Sequence, residues 1–198
     1  RSTLFPYTTL FRSNQRKKFV YGVVRAGARA RDFEESLQWL SDYGVVHRVP
    51  RVSTLRFPLS GYESVSGFKL FCVDVGLLGA LAGLDPSVAL GGSSLFSEFK
   101  GAMTEQYVAQ ELFGLGLLPV YWSSSTGSAE VDFAVDHTTG VLPIEVKAGE
   151  NLRAKSLRVA CEKFGLSRAV RTSLSPYRDE GWLVNIPLWA LGQVERLA

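Results

Sequence analysis

Two short segments hold the side chains best suited to chemistry: Ala129-Glu130-Val131-Asp132-Phe133 and Pro143-Ile144-Glu145-Val146-Lys147. Successive side chains of a strand point to opposite faces. Val131, Phe133 and Val135 are therefore expected on one face, with Glu130 and Asp132 on the other. In the second segment Ile144 and Val146 take the core face, and Glu145 and Lys147 share the opposite one. If the strands pair through a turn over Asp136–Gly140, then Asp132, Glu145 and Lys147 meet on one surface. Two carboxylates plus a backbone carbonyl, such as that of Val146, form a hard oxygen site suited to Mg2+ or Mn2+. A neighbouring lysine can orient or help deprotonate a water and offset negative charge that builds during phosphoryl chemistry. A third carboxylate from a helix often completes such a site, and Glu105 or Glu111 could supply it. The same three strand residues also fit a plain salt-bridged surface, which contributes little to stability.

The elements that would position these groups follow from periodicity. Leu95, Phe99, Met103, Tyr107, Val108 and Leu112 recur at helical spacing after Ser93-Ser94, and Gly114 and Gly116 stop the pattern. Extended segments are expected at 120–122, 130–135 and 142–147, then a helix near 153–164 and strands at 168–172 and 182–186. The order α-β-β-β-α-β-β implies an α/β (α+β) domain, a mixed sheet flanked by helices, over residues 91–198. Pro86 to Ser94 concentrates Pro, Gly and Ser and separates this part from residues 14–90. In the first part, Asp32 is expected to cap a helix carrying Phe33, Leu37 and Leu40. Val45, Val46, Val49 and Val52, interrupted by Pro50, suggest a hairpin-like ribbon. Helix plus ribbon is compatible with a small winged-helix-like module. The run Leu70–Leu84 reads as a buried strand and a loose, Gly-rich helix. Among the nearby cations Arg25, Arg29, Arg31, His47, Arg48, Arg51 and Arg56, Arg48 and Arg51 are weak candidates for phosphate contacts, against the alternative of solvated, ion-paired faces.

Composition bounds the class. The chain has 198 residues, 46% hydrophobic and 21% charged, which is too apolar for a disordered chain. Two cysteines, Cys72 and Cys161, lie far apart in apolar stretches, as expected for buried thiols in a reducing cytoplasm rather than a disulfide scaffold. No stretch reaches the ~20 apolar residues of a membrane span, so no membrane partner is expected. Residues 1–13, RSTLFPYTTLFRS, resemble a translated sequencing adapter and are set aside. Without Arg1 and Arg12, Lys+Arg falls from 22 to 20 against 19 Asp+Glu, so bulk charge gives no argument for nucleic acid. The expectation is that the natural chain extends upstream of Asn14, and Phe19, Val20, Tyr21, Val23 and Val24 would suit an apolar docking face. No GxxxxGK[ST] phosphate loop occurs, so ATP binding is not expected in this stretch. His47 and His137 lack partners at ligand spacing, and Ser123–Gly127 reads as a turn. Trp122, Trp182 and Trp189 suggest core or interface positions, with Trp39 partly exposed.

Asp132…Glu145-Val146-Lys147 with a helical Glu105 resembles the D…ExK core of the restriction-endonuclease-like superfamily. From about Lys17 to Ala198 the chain resembles an uncharacterised domain found C-terminal to AAA-type ATPases of bacteria and archaea. The resemblance lies in GARARDFEESLQWL, FKLFCVDVGLLGALAGLDP, FKGAMTEQYVAQEL, AEVDF, PIEVKAGENLRAKSL and WLVNIPLWALGQ. It implies Asp132 and Glu145 as metal ligands, Lys147 assisting the water, Glu105 as the helical acid, and Lys155 and Ser156 as weaker phosphate contacts. Its implied activity is Mg2+-dependent hydrolysis of DNA, with ATP bound only by a missing upstream domain. The alternative is a catalytically inactive nuclease fold that serves the ATPase as an interaction or regulatory module.

Overall fold

The computed structural model describes residues 32–85, 87, 94–149 and 153–197. Residues 1–13, Arg25, Arg29, Arg31, the apolar run from Phe19 and most of the Pro86–Ser94 connection lie outside the described residues.

Among the described residues the elements are α1 (Glu34–Asp42), β1 (Val46–Val52), β2 (Glu63–Cys72), α2 (Val75–Leu81), α3 (Ser94–Gly114), β3 (Val120–Ser123), β4 (Glu130–His137), β5 (Gly140–Val146), α4 (Lys155–Phe164), β6 (Ala169–Ser173), β7 (Arg178–Asp179), β8 (Leu183–Pro187) and α5 (Val194–Leu197). Short 3-10 turns occupy Leu59–Tyr62 and Leu188–Gln193. The strands form one sheet in the order β2-β1-β3-β4-β5-β6-β8-β7. It is mixed: β1/β3, β5/β6 and β6/β8 are parallel and the other pairs antiparallel. The class is therefore the expected mixed sheet flanked by helices.

The valine segment expected to fold as a hairpin-like ribbon instead forms the single strand β1, which pairs antiparallel with β2, and the pair does not stand apart as a wing. β1 also runs parallel to β3, with Arg51 beside Tyr121, and Val49 and Phe71 share one core with Val108, Leu112, Phe133 and Ile144. Backbone pairing carries the first part of the chain into the sheet of the second. Composition does not signal this, because the contact is long-range.

Each face of the sheet is covered by a helix whose apolar residues recur once per turn. Val108, Ala109 and Leu112 of α3 are fully buried against Phe133, Ile144, Val170 and Val184. On the other face Leu157, Ala160 and Cys161 of α4 pack on Val131, Ala134, Ala169 and Leu183. Helix α4 ends where Gly165 takes φ 66°, a left-handed conformation that strains any residue with a Cβ. Both cysteines are free and buried, as their apolar settings imply.

Two local expectations are corrected. Helix α1 begins at Glu34, with Phe33 rather than Asp32 at the cap position and no side-chain cap bond, and Leu37 is its one buried residue. The strict alternation expected along β4 also fails. Val120 pairs with Ala134 and Trp122 with Val131, so Asp132 and Phe133 together stand against Tyr121 as a β-bulge. Val131 consequently joins the α4 side with Ala134, and Phe133 and Val135 join the α3 side. Trp122 is in the core, while Trp189, for which a core or an interface position was expected, is 83% exposed and so lies outside the core.

Candidate functional site

Strands β4 and β5 form the expected antiparallel pair, with Phe133 against Ile144 and His137 against Gly140, so the turn itself is only Thr138-Thr139. Continuing that register places Asp132 across from Glu145. Beyond the last rung of that ladder, the Val146 N–H donates to Asp132 Oδ2 at 2.9 Å. Glu145 is buried, and Lys147 Nζ stands 2.5 Å from its Oε1. The structure thus brings together Asp132, Glu145 and Lys147.

Two buried carboxylates side by side repel, so the sheet supplies cations. Besides Lys147, Arg171 of β6 lies directly across from Glu145 in the parallel ladder and is only 2% exposed. Burial is the largest influence on Glu145 and pushes its pKa up, with Asp132 adding to the rise. The hydrogen bond and charge of Lys147, and the charge of Arg171, oppose it. Glu145 Oε2 is buried without a hydrogen-bond partner. An orphaned carboxylate oxygen beside a second carboxylate is the donor chemistry that Mg2+ or Mn2+ selects, so these residues fit such an ion. Among the described residues, however, no group of three or more His, Cys, Asp or Glu is gathered so that it could hold a metal.

Glu105 reaches the strands by a different route. Its Oε1 lies 2.9 Å from Lys69 Nζ, and the same ammonium lies 2.9 Å from Glu130 Oε1, two residues before Asp132. Lys69 is 2% exposed, with its ammonium over the rings of Tyr121 and Phe133. A buried lysine requires paired acids, so Lys69 fixes where helix α3 presents Glu105. Sequence reasoning missed Lys69, although a single lysine in the apolar run Phe68-Lys69-Leu70-Phe71 is the signal of a buried cation seeking a counter-ion. Glu111, the other helical acid considered, lies toward the far end: its Oε2 is 3.8 Å from the place a Cβ on Gly192 would take.

The weaker candidates are placed as follows. Arg48 Nη1 bonds Glu34 at 2.5 Å and its guanidinium lies over Phe68, and Arg51 Nη2 donates to the Ser123 carbonyl at 2.9 Å. Both arginines thus serve contacts within the protein. Lys155 is exposed in the first turn of α4, next to half-buried Ser156. His137 sits at the β4–β5 turn with Nδ1 2.9 Å from Thr139 Oγ1. His47 stacks on Phe113 and, being half-buried, has its pKa lowered by desolvation. Ser124–Ala129 is a tight turn, with Ser124 Oγ accepting from the Ala129 N–H.

A second buried polar network was not foreseen. Arg171 Nε and Ser173 Oγ both donate to Asn185 Oδ1, at 3.0 and 2.8 Å. Asn185 Nδ2 in turn donates to the carbonyls of Ser175 and Pro176, at 3.1 and 2.8 Å. Arg171 and Ser173 lie in β6, Asn185 in β8 and Ser175 and Pro176 in the loop after β6, and nothing local marks them as partners.

Residues 100–191, which include every member of the carboxylate–lysine group, match a family described as a domain of unknown function (DUF4143). Residues 6–88 match another family so described (DUF8612), a match that begins within the segment set aside at the N-terminus. No curated protein and no solved structure matches the chain. No helix among the described residues is long and apolar enough to cross a membrane. The site therefore lies in a stretch that matches an uncharacterised domain.

Proposed function

We propose that the chain carries a metal-dependent phosphodiesterase site of the restriction-endonuclease-like kind acting on DNA, within the C-terminal part of an AAA-type ATP-binding protein of the bacterial or archaeal cytoplasm. The observation that carries this reading is the meeting of Asp132, Glu145 and Lys147, with Glu145 Oε2 buried and unpartnered. Asp132 and Glu145 would hold Mg2+ or Mn2+, which when bound supplies a Lewis acid and lowers the pKa of a water. Lys147 holds its positive charge at the edge of the carboxylates, where a phosphodiester oxygen gains charge as it is attacked. Glu105, held by Lys69, is the auxiliary acid. ATP would bind only to a domain upstream of this stretch.

A second reading has its own support. Lys147 already pairs with Glu145, and no three-ligand group is present among the described residues. That favours an inactive nuclease fold serving as an interaction or regulatory module.

Titration of the folded 198-residue chain with Mn2+, followed by calorimetry, separates the two. Sub-millimolar binding lost in both Asp132→Asn and Glu145→Gln supports the hydrolase and justifies a cleavage screen across nucleic-acid structures. A folded wild type that binds no Mn2+ leaves the interaction module.

A further inference from the structure

The parallel ladder joins the candidate site to a groove that the reading above does not use. Glu145, Arg171 and Asn185 form one cross-strand row over β5, β6 and β8. The next row on the same face continues through Ser173 and Pro187, which pair directly, and Lys147 enters it through its N–H bond to the Thr172 carbonyl. Adjacent strands are about 4.8 Å apart, so Pro187 lies roughly 10 Å from Lys147 across the sheet. Pro187 forms part of a groove of about 500 Å³ lined by Leu174, Pro176, Tyr177, Trp189 and Gln193.

Three features give this groove a ligand class. Its lining is mostly aromatic and apolar, with Ser175 and Gln193 the polar members and no charged side chain, which suits a flat uncharged ring. Trp189 and Tyr177, 83% and 49% exposed, offer that ring stacking faces. Two cations are at hand for a polyanion: Lys147, ion-paired with Glu145, lies in the row leading to the groove, and Arg178, 67% exposed at its side chain, follows Tyr177 directly, with the Glu180 carboxylate 3.9 Å away. The groove is also held in shape. Asn185 grips the Ser175 and Pro176 carbonyls, and Arg171 ties Asn185 to the strand beside Glu145.

We propose that this groove holds an unpaired nucleobase of a nucleic-acid strand whose phosphates pass Lys147 and Arg178, so the ligand class is nucleic acid with a single-stranded segment. The inference rests on the phosphodiesterase reading for its choice of nucleic acid over other ring-bearing ligands. Stacking on an aromatic side chain is tolerant of base identity, so the groove selects for strand opening rather than for sequence.

The test uses the full chain in EDTA, without metal, and a fluorescein-labelled ten-nucleotide dT strand, read by anisotropy at low salt. Binding of the single strand in preference to a blunt duplex is expected, weakened about tenfold or more by Trp189→Ala. Trp189→Phe should keep most of the affinity. Arg178→Gln should weaken binding and lower the salt slope by about one. The exposure of Trp189 means that its replacement leaves the fold intact, which circular dichroism checks. Equal affinity for duplex and single strand overturns the proposal, as does an unchanged affinity in Trp189→Ala. Failure to bind any strand, or capture of a proline-rich peptide through Trp189 without competition by the strand, overturns it too. Loss of the Mn2+ site with Trp189-dependent strand binding intact removes the hydrolase and keeps the groove. The reverse pattern keeps the hydrolase and removes the groove.

Discussion

Arg171 stands directly across from Glu145 in the β5–β6 ladder and donates a hydrogen bond from Nε–H to Asn185 Oδ1 at 3.0 Å. One buried cation therefore faces the candidate carboxylates and at the same time fixes the amide that holds the Leu174–Tyr177 loop. Replacing it by Met should leave Glu145 with less positive charge in a dry setting and Asn185 with a lost donor. Removing one partner from such a buried ionic network costs about 3 kcal/mol, which urea unfolding of Arg171→Met would register. An unchanged midpoint would mean that the arginine is not buried in solution.

Burial raises the pKa of Glu145. A carboxyl whose folded pKa lies above its unfolded value adds stability at low pH and loses it as pH rises through the folded pKa. Glu145→Gln, which carries no charge at any pH, should therefore gain stability relative to wild type as pH climbs from the ordinary carboxylate range. Paired urea curves from pH 4 to 7 check the sign. A variant that loses ground with rising pH would show that the Lys147 and Arg171 charges outweigh desolvation.

Lys69 is shared by Glu105 and Glu130. Lys69→Met leaves Glu105, buried on α3, without that counter-ion and should destabilise the chain by about 3 kcal/mol. The double variant Lys69→Met/Glu105→Gln removes the stranded charge as well and should recover a large part of the loss. Thermal unfolding of the wild type, single and double variants measures the coupling. Equal losses in the single and double variants would show that Glu105 does not depend on Lys69.

Cys161 is held protonated: burial, reinforced by the charge of Glu162, pushes its thiol from 9.0 up to about 11. Its stabilising contribution is complete below the unfolded pKa near 9 and disappears as pH rises toward 11. The folded protein should lose up to about 2 kcal/mol over that window, and Cys161→Ala should flatten the slope. In keeping with this, native Cys161 should resist thiol reagents at pH 8 and react once urea unfolds the chain. Rapid native labelling would contradict its burial on α4.

Asn185 makes four side-chain hydrogen bonds, to Arg171, Ser173 and the carbonyls of Ser175 and Pro176. Asn185→Ala strands those groups and should cost about 3 kcal/mol. Amide exchange should rise first in the 174–177 loop. A loss of stability without faster exchange there would show that the loop keeps its shape by other means.

What the sequence determined by itself is the set of locally encoded elements. The stripe of Val108 and Leu112, the short apolar run of β5, and the glycines at 116 and 165 mark α3, a sheet strand and the helix ends through short-range periodicity and backbone freedom. The approach of Asp132 to Glu145 and Lys147 was legible too, because one short hairpin, with few registers open to it, joins their strands.

Tertiary structure alone decided the rest. The bulge that sets Asp132 and Phe133 against Tyr121 arises from a register shift between β3 and β4, and strict alternation along β4 hides it. The union of β1 with β3, the pairing of Lys69 with Glu105 across 36 residues, and the row Glu145–Arg171–Asn185 all join positions far apart in the chain. Local propensity carries no information about such contacts. They form because buried charges and strand edges must find partners, and only the assembled sheet determines which ones lie within reach.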